Sequence, residues 1–193
     1  MKLDARGKAC PIPVIMAKKE LDNGEKNLEI LVDGKVQIDN LDRLAKSYGR
    51  TIETSPCEDK FLVKFSEGDG TVPDHASSYD TGSFGVFFNK ASVGSGNAEL
   101  GLNLAKMAIF TLSEGENIPS YIFFMNDGVK LTTGIEPQII ENLKTLIDKG
   151  TTVLVCGTCL NFFGVKDDCK VGTISNMYDI LSAMEQVSKV ITL

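Results

Sequence analysis

The sequence predicts an α/β protein: a small β-α-β-α-β-β two-layer sandwich, followed by a three-layer α/β domain with a mostly parallel sheet. Three observations carry that reading. Segments with apolar residues at helical spacing alternate with short apolar runs along the chain. In the second half those runs, such as Phe84-Gly85-Val86-Phe87-Phe88, are continuously apolar, the pattern of strands covered on both faces. Between the halves, residues 67–82 are poor in large apolar side chains and rich in turn formers, the composition of a linker. The boundaries are therefore a first domain over 1–66, a linker over 67–82 and a second domain over 83–193.

The elements follow in order. Residues 2–5 form a short strand and 11–21 a helix, whose first turn tolerates Pro11 and Pro13 because the N–H groups they lack have no intrahelical partner there. Asn23-Gly24 closes that helix. Leu28 to Val32 is a strand and Asp33-Gly34 a turn. Ile38, Leu41, Leu44, Ala45 and Tyr48 recur at helical spacing up to Gly49. Residues 51–55 and 61–65 then pair as a hairpin around 57–60. In the second domain, strands are expected at 84–88, 121–125, 151–156 and 190–191, and helices at 100–112, 136–149 and 174–187. Ligands of such sheets bind beyond the carboxyl ends of the strands, which points to the loops 89–96, 126–134 and 156–164.

The 193 residues, 42% hydrophobic, supply ample core. Net charge is −6 and uneven: residues 1–66 carry 12 Lys and Arg against 11 Asp and Glu, and the rest carry 8 against 15. No basic stripe suits nucleic acid. No leader and no apolar run of membrane-spanning length are evident, so the chain reads as soluble and cytoplasmic. Five cysteines, an odd number, favour free thiols, metal ligation or redox work over a disulfide framework.

Cys10 directly precedes Pro11-Ile12-Pro13 and so lies at or beside a helix N-cap. Unpaired backbone N–H groups and the positive end of the helix dipole would there favour thiolate. Arg6 and Lys8 either add positive potential or are simply solvated, and Asp4 is placed to pair with Arg6. Cys156-Gly157-Thr158-Cys159 follows a buried strand. It reads as a persulfide acceptor, a dithiol pair or half of a metal site, against two small residues packed at a glycine turn. For zinc, Cys169 and His75 would have to complete the set, but structural sites use two close-spaced pairs and His75 lies in the linker; no metal and no cofactor are expected. Gly94-Ser95-Gly96-Asn97 reads first as a turn with an N-cap and second as an anion cradle. Cys57 lies beside Glu58 and Asp59, which disfavour its thiolate, and Cys169 reads as an exposed bystander. A single histidine, in the linker, leaves no Cys–His hydrolase to consider.

Residues 1–66, through Leu3-Asp4-Ala5-Arg6-Gly7-Lys8-Ala9-Cys10-Pro11-Ile12-Pro13 and the order of their elements, resemble the TusA/SirA-like sulfur carriers. That resemblance implies a persulfide carried on Cys10. Residues 83–193 resemble the DsrE-like family through the strand-turn-helix 85–101, the strand ending in Cys156, and Gly164. It implies a reactive cysteine near Cys156, with Cys159 an additional thiol, and assembly into a homo-oligomer. The fusion is similar to YedF-type proteins, which implies sulfur or selenium metabolism. The expected function is a sulfurtransferase-like relay: Cys10 takes sulfane sulfur from a donor such as a cysteine desulfurase, and passes it to Cys156, to Cys159 or to a separate thiol acceptor. The alternatives are a non-enzymatic adaptor binding a partner or an anion, and a dithiol oxidoreductase using Cys156 and Cys159.

Overall fold

The computed structural model describes residues 1–68 and 82–193. The stretch expected as a linker, apart from its ends, and His75 with it, lie outside the described residues. The described residues divide into two compact units on either side.

In the first unit, strands β1 (Lys2–Asp4), β2 (Glu29–Val32), β3 (Arg50–Cys57) and β4 (Lys60–Glu67) form one sheet in the order β1-β2-β4-β3. β1 runs parallel to β2, and β4 antiparallel to both β2 and β3. Parallel pairing requires a crossover, which helix α1 (Ile12–Asp22) supplies; helix α2 (Lys35–Ser47) connects β2 to β3. The alternation of a half-covered sheet is plain in Ile30 and Val32 and in Val63 and Phe65, all buried against Ala17, Leu21, Leu41 and Ala45 of the helices. The two-layer sandwich is as expected. The hairpin strands extend further than expected, through Pro56, which an edge strand tolerates because its missing N–H leaves no ladder bond broken. Glu58 turns the hairpin with a φ of +58°.

In the second unit, β5 (Phe84–Phe88), β6 (Tyr121–Phe124), β7 (Thr152–Cys156), β8 (Thr173–Ser175) and β9 (Lys189–Thr192) form a sheet in the order β8-β7-β6-β5-β9. All of its pairs are parallel. The sheet is flanked by helices α3 (Ala98–Glu114), α4 (Pro137–Asp148), α5 (Gly157–Phe162) and α6 (Met177–Glu185). The strand order advances from β5 to β8 and then returns to β9 beside β5. Right-handed crossovers therefore put α3 and α4 on one face and α6 on the other. Phe88, Ile122, Phe123, Phe124, Val153 and Val155 fill the core between them. Among the described residues no helix is long and apolar enough to cross a membrane.

Two local expectations need correction. The helix expected over 174–187 begins only at Met177, because residues 173–175 pair with Leu154–Cys156 as β8 and Asn176 caps the helix, its side chain accepting the Asp179 N–H at 3.0 Å. The loop after β6 is largely a 3-10 helix, Asn126–Thr132. It presses so closely on β5 that a Cβ at Gly128 would lie 2.2 Å from the Phe88 carbonyl oxygen.

Gly128→Ala must therefore displace that segment, and it is expected to lower stability by about 1–3 kcal/mol in urea denaturation followed by circular dichroism. Gly96→Ala, where an added Cβ meets nothing within 4 Å, is the neutral control. Equal midpoints for the two would contradict the packing described.

Candidate functional site

Cys10 sits two residues before α1 begins, with Pro11 as the N-cap. The backbone donors expected to face its sulfur are already used or missing. Ile12 donates its N–H to the Ala9 carbonyl at 3.0 Å, Pro13 has none, and Val14 donates to the Pro11 carbonyl at 3.0 Å. The donor to sulfur comes instead from across the unit: the Asn40 amide, on α2, donates to Cys10 Sγ at 3.0 Å. Arg43, nearly one turn on, donates to Asn40 Oδ1 at 2.9 Å. A guanidinium can only donate, so it holds the oxygen of the amide toward itself and leaves the NH2 for the thiol.

The loop carrying Cys10 is anchored to the same helix. Gln37 donates from Nε2 to the Lys8 carbonyl at 3.0 Å, while its Oε1 accepts the N–H groups of Asp33 and Gly34. Gly7, at φ +70°, donates its N–H to Asp33 Oδ2 at 2.7 Å. That bond, with Lys60 at 3.2 Å and Gln37, keeps the Asp33 carboxyl below its ordinary range. Arg6 forks onto Asp4 at 2.9 and 2.6 Å, which lowers the Asp4 carboxyl to about 2 and raises the guanidinium. The Arg6 charge is thus paired within its own loop. Gln37, Asn40 and Arg43 carry no signal in the sequence beyond i, i+3, i+6 spacing on a polar helix face; only their distance from Cys10 in the folded chain reveals them.

In the second unit, β7 ends in Cys156, 3% exposed, and α5 starts at the next residue. Cys159 follows within the first turn and is half-buried. Its Sγ donates to Cys156 Sγ at 2.9 Å and accepts the backbone N–H of Asn126 at 3.1 Å. Burial first, and then the neighbouring Cys156, push the Cys159 thiol up. The three expected loops do converge. Ala91 donates its N–H to Asp127 at 3.2 Å, Asp127 pairs with Lys130 at 2.6 Å, and Lys130 lies 4.4 Å from the centre of the Phe163 ring. Just after the first of these loops Asn97 acts as the N-cap of α3, accepting the Leu100 N–H at 2.9 Å, while within the loop Lys90 donates to Ser95 at 2.9 Å.

Cys169 is not the exposed residue expected. It is half-buried against the core, 3.5 Å from the Thr132 hydroxyl, because the segment after the 3-10 helix Lys166–Asp168 packs back on Thr132 through the Lys170 N–H. Cys57, at the end of β3, is also half-buried. Among the described residues no three of His, Cys, Asp and Glu come together as a metal-ligand set.

Compared with known proteins, residues 82–193 match the DsrE/DsrF-like family and residues 1–64 match the sulfurtransferase TusA family. A Methanocaldococcus jannaschii protein named as a sulfur carrier is 43% identical over 54 residues, 26% of this chain and 71% of that protein. An uncharacterized protein of the same organism is 27% identical over 116 residues, 56% of this chain and 97% of its own length. A crystal structure of a SirA-like protein from Desulfitobacterium hafniense is 35% identical, covers 36% of this chain and all of that one, and has a TM-score of 0.32. The ychN protein of E. coli is 21% identical over 57% of this chain and 99% of its own, with a TM-score of 0.44.

Asn40→Leu removes the side-chain donor to Cys10 Sγ. Alkylation of Cys10 by iodoacetamide should slow, read by peptide mass spectrometry against Cys57 in the same sample. An unchanged rate would dismiss the contact. For Asp4 the folded carboxyl is depressed, so its contribution to stability is present above the ordinary value of 3.8 and lost as pH falls through about 2. Its carboxyl resonance should titrate near 2 in the native chain and move back up in Arg6→Gln.

Proposed function

The chain belongs to the DsrE/DsrF-like family, and on that premise we propose that it is a sulfur carrier in which Cys10 takes up sulfane sulfur and Cys159 receives it. The observation that carries the reading is the Cys10 site: a half-buried thiol on an anchored loop, supplied with a single oriented N–H donor at 3.0 Å. Such a donor interacts more strongly with an anionic sulfur than with a neutral one, and so suits the charge that collects on Cys10 Sγ as it departs. In loading, Cys10 thiolate attacks the outer sulfur of a donor persulfide; a new S–S bond forms, the donor's S–S bond breaks, and the donor thiolate leaves. Transfer to the second unit repeats the exchange with Cys10 as leaving group.

Cys159, rather than Cys156, is the acceptor in this reading because it is the more exposed of the two sulfurs. As Cys159 attacks, its proton passes to the departing Cys10 sulfur, so each sulfur ends with one proton or one new S–S bond. The match of the two halves to two separate proteins of one organism supports two steps handled by two modules. Tethering them raises the effective concentration of one thiol near the other.

The chain should gain one sulfur on the Cys10 peptide after incubation with a cysteine desulfurase and cysteine, read by intact and peptide mass spectrometry. The added mass should vanish with reductant and be absent in Cys10→Ser. An unloaded Cys10 in folded protein, with desulfurase active on another acceptor, would refute the carrier reading.

A further inference from the structure

The two sulfurs of the second unit differ in a way that a simple relay does not use. Cys159 is reachable from solvent, whereas Cys156 is 3% exposed at the end of a core strand. A buried thiol cannot meet a partner's persulfide. It can react only with what touches it, and what touches it is Cys159 Sγ at 2.9 Å. The chain also fixes their relation: Cys156 ends β7, Cys159 stands in the first turn of α5, and Asn126 holds the Cys159 sulfur from the other side. Gly157 between them leaves no slack, since a Cβ there would lie 3.1 Å from Ile174 and 3.3 Å from the Ser175 carbonyl.

Resting on the carrier reading above, we propose that Cys156 is a resolving thiol that discharges a persulfide on Cys159 as hydrogen sulfide. Cys156 attacks the inner sulfur of Cys159–S–SH. The Cys156–Cys159 S–S bond forms, the bond to the outer sulfur breaks, and that sulfur leaves as sulfide with the Cys156 proton. The outer sulfane sulfur gains two electrons and the two cysteine sulfurs lose one each, so the step balances without another reactant. A dithiol reductant returns the disulfide to two thiols for the next cycle. The second unit is then a sulfide-releasing persulfide reductase site, taking protein or low-molecular-weight persulfides as substrate.

The test uses the full chain, reduced and under anaerobic conditions, with cysteine persulfide as the probe. This loads the second unit directly and is run in Cys10→Ser as well as in the native chain. Expected are about one sulfide per chain and a peptide spanning Cys156 and Cys159 that is lighter by two hydrogens. In Cys156→Ser the Cys159 peptide should instead keep its extra sulfur, and sulfide should fall about tenfold or more. Cys156→Ala, with circular dichroism on both variants, guards against a serine that unfolds the buried position. Persistence of the persulfide on Cys159 in the native chain, or sulfide release indifferent to Cys156, would overturn the proposal while leaving the carrier reading intact. A Cys10 that never loads would remove the carrier reading alone, because the probe bypasses it.

Discussion

Parallel strand pairing is the constraint on which both thiol sites depend. A strand that must be followed by a parallel neighbour has to leave the sheet at its carboxyl end, turn, and return through a helix. At that edge the backbone changes from extended to helical, and side chains there range from buried, as Cys156 is, to half-buried, as Cys10 and Cys159 are. Cys10 follows β1, which pairs parallel with β2, and Cys156 ends β7, which pairs parallel with β6 and β8, with Cys159 just beyond it. Two sheets of different size and connectivity thus each carry cysteines at a strand-to-helix passage, Cys10 in a seven-residue loop and Cys156 and Cys159 at a direct junction.

The two cysteine sulfurs receive different kinds of hydrogen-bond donor. At Cys10 the prolines remove or occupy the nearby backbone N–H groups, and the sulfur is served by a side-chain amide that Arg43 orients. At Cys159 the donor is a backbone N–H, placed by Asn126 in the left-handed region at φ +48°. A backbone donor is part of the fold and cannot be removed by a single substitution, whereas the amide can. The donor to Cys10 therefore depends on one side chain, and the donor to Cys159 on the packing of the 3-10 helix against β5.

What was legible in the sequence was local. Cys10 before Pro-x-Pro, the turn at Asp33-Gly34, the capping role of Asn97 and the apolar runs of β5 and β7 are each set by neighbours a few residues away, and each stands where expected. Asn40 was not legible, because it lies thirty residues from Cys10 and looks like any polar residue on a solvated helix face. β8 was missed because three residues give no period to detect, and Ile174 continued a helical pattern that Asn176 in fact begins. Cys169, between Asp168 and Lys170, looked exposed by its neighbours; its burial comes from Thr132, which is distant in sequence. The contact between Cys156 and Cys159 was implicit in their spacing, but the difference in exposure that separates their roles was not.

The loops around Cys159 are joined by Ala91, Asp127, Lys130 and Phe163 through contacts that do not pass through sulfur. A substituent on Cys159 would nevertheless reach those loops through one bond, because the Asn126 N–H ends on its sulfur and Asp127 beside it holds Ala91. On the reading proposed above, loaded and empty copies would then differ in the outline of these loops as well as at the sulfur itself.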